Sequence, residues 1–126
     1  MHAPEPAAAS GKPTTRLASS AKIGVALGSG ASRGLAHIGV LQAIEEQGLQ
    51  VSFIAGTSMG AFIGSVYAAG NLQRLGTDFR AFDWRNVAAL LDPVFPRSGL
   101  IDGQKVARFL GAYTASRRIE DLSVKF

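Results

Sequence analysis

Residues 51–70 read VSFIAGTSMGAFIGSVYAAG, an apolar run, a turn of small residues and a second apolar run that ends at glycine. The first run predicts a buried β-strand, and residues 59–70 predict a helix closed by Gly70. The turn is a G-x-S-x-G pattern, which lifts the central Ser58 above the sheet at a helix N-terminus, where unpaired N–H groups favour negative charge. Ser58 is therefore a candidate nucleophile. The alternative is a tight structural turn in which Ser58 only caps the helix.

A similar unit precedes this one. Residues 22–27, KIGVAL, predict another buried strand, and the small-residue stretch 28–34 predicts a turn. Residues 35–48 predict a helix closed by Gly48. Strand, helix, strand and helix in this order predict a parallel sheet with right-handed crossovers, so the fold class is α/β.

The chain after the second helix is less regular. Residues 72–84 predict a helix broken at Gly76, and residues 91–99, with two prolines, predict a loop. Apolar side chains recur at helical spacing over 106–113, which predicts an amphipathic helix. Residues 119–126 begin a further strand. A domain rarely ends at such a point, so we expect the chain to be a fragment.

Two segments of different character are predicted. Residues 1–21 are rich in Ala, Pro, Ser and Thr, without the apolar centre of a secretory signal, and are expected to be a disordered lead-in. Residues 22–126 are expected to form the N-terminal portion of one domain, which is incomplete.

Composition excludes several classes of function. The chain has 126 residues, 47% of them hydrophobic, which is enough for one small domain. It contains no cysteine, so disulfides, thiol nucleophiles and zinc–thiolate sites are excluded. The net charge of +4 comes from scattered basic residues, which argues against a nucleic-acid partner. No apolar stretch reaches the ~18–20 residues of a membrane span. No metal or cofactor is expected.

The glycine-rich turn at 28–34 opens the first helix, where exposed N–H groups can bind a phosphate or an oxyanion. A dinucleotide site is disfavoured because Arg33 stands at the third position of the glycine fingerprint and no acidic residue ends the second strand. A P-loop is disfavoured because no Gly-Lys-Ser/Thr follows. Since a candidate nucleophile comes on the next strand, we predict an oxyanion hole.

Two motifs together, LGSGASRGLAHIGVL (27–41) and GTSMGAFIGS (56–65), resemble the patatin-like phospholipases, especially the bacterial group related to neuropathy target esterase. The resemblance covers roughly residues 23–126. It implies a three-layer α/β/α fold with a mainly parallel sheet, and lipid acyl-ester hydrolysis by a Ser-Asp dyad.

Carried over, the resemblance makes Ser58 the nucleophile. Its elbow comprises Gly56, Thr57, Met59 and Gly60. The residues expected to form the oxyanion hole are Gly28, Ser29, Gly30, Ala31, Arg33 and Gly34. The family's pattern here is G-x-G-x-[RK]-G, and this chain has Ser29 and Ala31 where glycines are commoner. Both residues are small, so the hole is expected to persist. Arg33 could orient the loop, meet an anionic lipid head group or simply be solvated.

The base that would take the Ser58 proton is the open question. His2 lies in the lead-in, and His37 shares a helix face with Val40 and Leu41, which predicts a packed core histidine rather than a base. Asp102-Gly103 imitates half of the family's Asp-Gly-Gly or Asp-Gly-Ala motif, but a helix N-cap is the better interpretation. The remaining aspartates have no motif around them: Asp78, Asp83, Asp92 and Asp121. We therefore expect the base to be an aspartate beyond residue 126, and this chain alone to be inactive.

The predicted function is serine hydrolysis of lipid acyl esters, of the phospholipase A, lysophospholipase or esterase type. The alternatives are an acyltransferase with the same elbow and a non-catalytic lipid-binding fragment. The expected partner is a lipid or acyl-ester substrate, with a cytoplasmic location or one peripheral to a membrane. The oligomeric state is left open.

Overall fold

The computed structural model describes residues 21–81, 103–115 and 117–126. Its strands are β1 (Ile23–Leu27) and β2 (Val51–Gly56), and its α-helices are α1 (Ala36–Glu46), α2 (Met59–Ala68), α3 (Leu72–Ala81) and α4 (Gly103–Thr114). Short 3₁₀ helices cover Ala31–Leu35 and Ile119–Asp121. The predicted α/β class is confirmed. The loop predicted at 91–99 and the cap predicted at Asp102 lie outside the described residues.

The strands run parallel, as the order of elements predicted. β1 pairs with β2 from Ile23 opposite Val51 to Leu27 opposite Gly56. On its other edge β2 meets the segment around Lys125, which pairs in parallel with Phe53. The Ile54 N–H donates to the Lys125 carbonyl at 2.8 Å. β2 therefore has a hydrogen-bonded neighbour on each edge: β1 along its length and the segment at Lys125 near its middle.

Helix α2 is the centre of the core. It is apolar around most of its circumference, and such a helix is stable only when covered on all sides. Ile63 and Val66 are fully buried. Gly64 lets the helix lie directly on the sheet, because a Cβ there would come within 2.7 Å of Ile54 Cγ2. The N-terminus of α2 is consequently held above the end of β2.

Glycines end two of the helices as predicted. Gly48 follows α1 with φ +70°, and Gly70 follows α2 with φ +79°. These left-handed conformations cost glycine little and stop a helix. The start of the first helix differs from the prediction: the chain makes a 3₁₀ helix over Ala31–Leu35 before α1 begins at Ala36.

The predicted break at Gly76 is wrong. α3 runs continuously from Leu72 to Ala81, and Gly76 is buried inside it. A Cβ at this position would lie 2.8 Å from Gln42 Nε2 and 3.4 Å from Ile38 Cγ2, both on α1. Gly76 therefore permits a close approach of two helices. A glycine with a packing role looks the same in a sequence as one that interrupts a helix.

Tyr113 fastens α4 to α3. Its hydroxyl donates a 2.8 Å hydrogen bond to Asp78, and its backbone carbonyl accepts one of 2.6 Å from the Asn71 side chain. Burial, then the hydrogen bond and charge of Asp78, raise the pKa of Tyr113 to about 12. The phenol is therefore a protonated donor at neutral pH, and Asp78 is engaged as its acceptor.

Among the described helices, none combines the length and apolarity needed to cross a membrane.

Candidate active site

Ser58 occupies the sharp turn between β2 and α2. Its backbone has φ 50° and ψ −121°, a conformation that side chains other than glycine rarely adopt. A residue held in this way costs on the order of 1–3 kcal/mol and persists only where the surroundings enforce it. The residue is exposed, so the strained turn presents the serine to solvent.

The Ser58 hydroxyl does not cap α2, contrary to the structural alternative considered from the sequence. No side-chain capping hydrogen bond is formed. The first turn is closed by the backbone instead: Gly60 N–H donates to the Thr57 carbonyl at 2.9 Å, and Phe62 N–H to the Ser58 carbonyl at 3.0 Å. Because Met59 is the first residue of the helix, its N–H has no acceptor within the helix. The Ser58 hydroxyl and the Met59 N–H, a donor at the helix N-terminus, thus belong to adjacent residues.

The two glycines of the elbow are required by close backbone contacts. A Cβ at Gly56 would lie 2.6 Å from Ala61 N, in the first turn of α2. A Cβ at Gly60 would overlap the carbonyl oxygen of Leu27 and lie 2.6 Å from that of Gly28. Backbone atoms cannot move aside as flexible side chains can. The absence of a side chain at Gly56 therefore allows the end of β2 to approach the first turn of α2, and its absence at Gly60 allows the elbow to pack against the end of β1.

The glycine-rich loop that follows β1 has an unusual backbone. Gly30 has φ +147° and Ala31 has φ +46°. The Arg33 N–H donates to the Gly30 carbonyl at 2.9 Å and starts the 3₁₀ helix. Ala31 thus adopts a left-handed conformation without being glycine. It stands at a position where glycine is commoner in the family that the chain resembles.

The loop and the elbow are brought together. The Thr57 N–H donates to the Leu27 carbonyl at 3.1 Å, and the hydroxyls of Ser29 and Thr57 are 2.9 Å apart. Met59 is buried and packs so closely on the loop that a Cβ at Gly34 would lie 2.7 Å from Met59 Cβ. The hydroxyl contact was missed from the sequence. No local pattern signals a contact between residues so far apart along the chain.

His37 lies beside the loop, not in the core. The predicted apolar face of α1 is wrong in part, since Val40 is 52% exposed whereas Ile38 and Leu41 are buried. The helix is rotated relative to the prediction, and His37 is half-buried. Its Nε2 lies 2.9 Å from the Gly28 carbonyl oxygen.

No acid or imidazole in the described part of the chain forms a hydrogen bond with Ser58. Asp78 binds Tyr113, and Asp121 is exposed in a 3₁₀ helix. Asp83, Asp92 and Asp102 lie outside the described residues. Arg33 is exposed, and no ion pair joins it to another described residue. The described residues therefore supply a candidate nucleophile and donors, without a base in contact.

A cavity of about 440 Å³ lies at the opposite end of β2 from Ser58. It opens beside Val51, the first residue of the strand, and is bordered by Glu45, Tyr67 and Ser123. Burial, followed by the charge of Glu45, raises the pKa of Tyr67. Among the described side chains, no three acidic or histidine residues form a cluster able to hold a metal ion.

Comparison with known proteins identifies the family of this chain. The family model described as patatin-like phospholipase matches residues 25–126. The match includes the glycine-rich loop, the serine elbow and the segment that pairs with β2. The chain belongs to the patatin-like phospholipase family.

Relatives come from bacteria and eukaryotes. An uncharacterised NTE family protein of Mycobacterium tuberculosis is 38% identical over 111 residues, which are 88% of this chain and 31% of that protein. Lysophospholipase NTE1 of Saccharomyces cerevisiae is 34% identical over 88% of this chain and 7% of its own length. Patatin-like phospholipase domain-containing protein 6 of Homo sapiens is 37% identical over 79% of this chain and 8% of its own. The chain thus spans a third or less of these relatives.

Proposed function

We propose that this chain carries the nucleophile and the oxyanion loop of a serine hydrolase acting on lipid acyl esters. Ser58 is the nucleophile, and the loop from Gly28 to Gly34 supplies backbone donors. The observation that carries the proposal is the strained backbone of Ser58 in an exposed strand-to-helix turn. In a turn with only a structural role, glycine would be the residue expected at this backbone conformation. The hydroxyl is also left uncapped beside a loop of small residues.

The chemistry follows from this arrangement. The Ser58 oxygen attacks the ester carbonyl carbon while a base takes its proton. The carbonyl oxygen becomes an oxyanion, and N–H donors of the loop and of Met59 stabilise it. When the tetrahedral intermediate collapses, the leaving alcohol takes up the proton and Ser58 holds the acyl group as an ester. Water, deprotonated by the same base, then releases the acid and restores the hydroxyl.

Lipid substrates are proposed from the family and from the relatives' names, which include a lysophospholipase. The base in this proposal is an aspartate beyond residue 126, which would complete a Ser-Asp dyad. Two observations support this placement. The described carboxylates form no hydrogen bond with Ser58, and Asp78 already accepts one from Tyr113. The Nε2 of His37 already forms a hydrogen bond with the backbone carbonyl oxygen of Gly28.

Covalent labelling tests the proposal. A fluorophosphonate probe reacts with a serine that has an activated hydroxyl and an oxyanion hole, so the full-length protein should be labelled at Ser58. The 126-residue chain alone should be labelled far more slowly if the base is the proposed aspartate beyond residue 126. Peptide mass spectrometry locates the adduct. Ser52→Ala, which removes a hydroxyl near the start of β2, should label like the wild type.

If the full-length protein were not labelled although its circular dichroism spectrum showed that it was folded, the result would favour a non-catalytic lipid-binding role. Rapid labelling of the short chain at Ser58 would instead place the base within these residues.

Substitutions in the loop should separate its backbone from its side chains. We expect Gly30→Val to lower kcat for a short-chain ester by about 10²-fold or more, the scale of losing one oxyanion donor. Its φ of +147° suits glycine, and a Cβ would lie 3.1 Å from Gly34 N. Ser29→Ala keeps its N–H and loses only the contact with Thr57, so its kcat should fall much less. Equal rates for the two variants in steady-state assays would mean that the loop is not the oxyanion hole.

A further inference from the structure

His37 makes a contact that the proposed reaction does not use. It lies in the first turn of α1, half-buried, with Nε2 2.9 Å from the carbonyl oxygen of Gly28. A carbonyl oxygen can only accept a hydrogen bond, so Nε2 must carry the hydrogen. The nitrogen that reaches the loop is therefore a donor, and it cannot also take a proton from Ser58.

The contact controls the orientation of a peptide in the loop. In a planar trans peptide, the C=O and N–H bonds point in opposite directions. When His37 holds the Gly28 oxygen, it also sets the direction of the Ser29 N–H. Rotation of this peptide would exchange a donor for a carbonyl, and a carbonyl facing the site would repel an oxyanion. Glycine at position 28 offers little resistance of its own to such a rotation.

The loop needs external restraint, because its backbone is unusual at two consecutive positions. Gly30 has φ +147° and Ala31 has φ +46°. On the side facing the elbow, the Ser29 hydroxyl meets Thr57 at 2.9 Å. On the side facing α1, His37 meets Gly28. The two contacts tie two successive residues of the loop to different elements, Gly28 to α1 and Ser29 to the turn that carries the nucleophile.

We propose that His37 is a positioning residue, which keeps the donors of the glycine-rich loop aimed at the oxyanion and takes no part in proton transfer. The inference rests on the proposed function, since it assigns His37 to the same site. Because an oxyanion exists only during the reaction, misdirected donors should lower kcat and leave substrate binding nearly unchanged.

Three variants of His37 in the full-length protein test the assignment. His37→Phe keeps a ring of similar size and removes the donor, and we expect kcat to fall about 10- to 100-fold with KM within about threefold of the wild type. His37→Gln can still donate from Nε2 and should recover most of the rate. His37→Asn is equally polar but too short to reach Gly28, so it should resemble the Phe variant. Melting temperatures are measured for each variant.

The contrast between Gln and Asn decides the matter even if the Phe variant does not fold. A glutamine cannot act as a general base, so recovery by His37→Gln excludes a proton-transfer role and supports positioning. Equal kcat for the Gln and Asn variants would overturn the proposal, as would a wild-type kcat for His37→Phe. If wild-type turnover did not depend on Ser58, the proposed function and this inference would both fail. If it did depend on Ser58 while the His37 variants stayed fully active, only the inference would fail.

Discussion

Ser58→Ala should abolish ester hydrolysis and leave the fold nearly unchanged. The hydroxyl makes no capping bond and is exposed, so its removal disturbs no packing. Loss of a catalytic nucleophile in serine hydrolases costs on the order of 10⁶ in kcat, which would reduce turnover to background. The measurement is hydrolysis of p-nitrophenyl butyrate by the full-length protein, with thermal unfolding followed on the same samples.

Ser52→Ala is the matched control, since it loses a hydroxyl from the strand that precedes the Ser58 turn and should keep both the activity and the melting temperature. Wild-type turnover by purified Ser58→Ala protein would refute the assignment of the nucleophile. A large fall in its melting temperature would show instead that Ser58 has a structural role.

Gly60→Ala is expected to have the largest effect on stability among single-methyl additions at this site. The new Cβ would overlap the Leu27 carbonyl oxygen, and the Gly28 oxygen would be 2.6 Å away. Relief requires α2 to move away from the end of β1, so we expect a loss of about 3 kcal/mol in unfolding free energy and a displaced Ser58. Urea unfolding and fluorophosphonate labelling measure the two effects.

Gly39→Ala is the control for Gly60→Ala. Gly39 also lies in a helix, but a Cβ there would meet nothing within 4 Å. Alanine should therefore stabilise α1 by roughly 0.5–1 kcal/mol, since it lowers the entropy of the unfolded chain. If Gly60→Ala unfolded at the same urea concentration as the wild type, the inference that the elbow packs tightly against β1 would be refuted.

Features set by neighbouring residues could be predicted from the sequence. The bounds of β2 follow from a short apolar run with a turn after it, and the helix ends follow from Gly48 and Gly70. Features set by distant residues could not. Gly76 was assigned to a helix break because its contact with Gln42 on α1 leaves no local trace. The exposure of Val40 likewise depends on how α1 sits on its neighbours.

The candidate site divides in the same way. The G-x-S-x-G pattern pointed to Ser58 because the residues that form the turn are consecutive. The Ser29–Thr57 contact depends on the register of two strands, which the sequence does not reveal. The contact of His37 with Gly28 depends on the rotation of α1 by part of a turn. Helical periodicity places a residue on a face but does not say which neighbour that face meets.

The pairing of Phe53 with Lys125 has a consequence for the order of folding. It closes a much longer stretch of chain than the pairing of β1 with β2, and long closures are entropically slower. We expect β1 and β2 to associate first, so that one edge of β2 stays open for a time and could pair with another chain. Pulsed hydrogen exchange during refolding should protect the Thr57 N–H, bound to Leu27, before the Ile54 N–H, bound to Lys125. Simultaneous protection would mean that the sheet forms in one step.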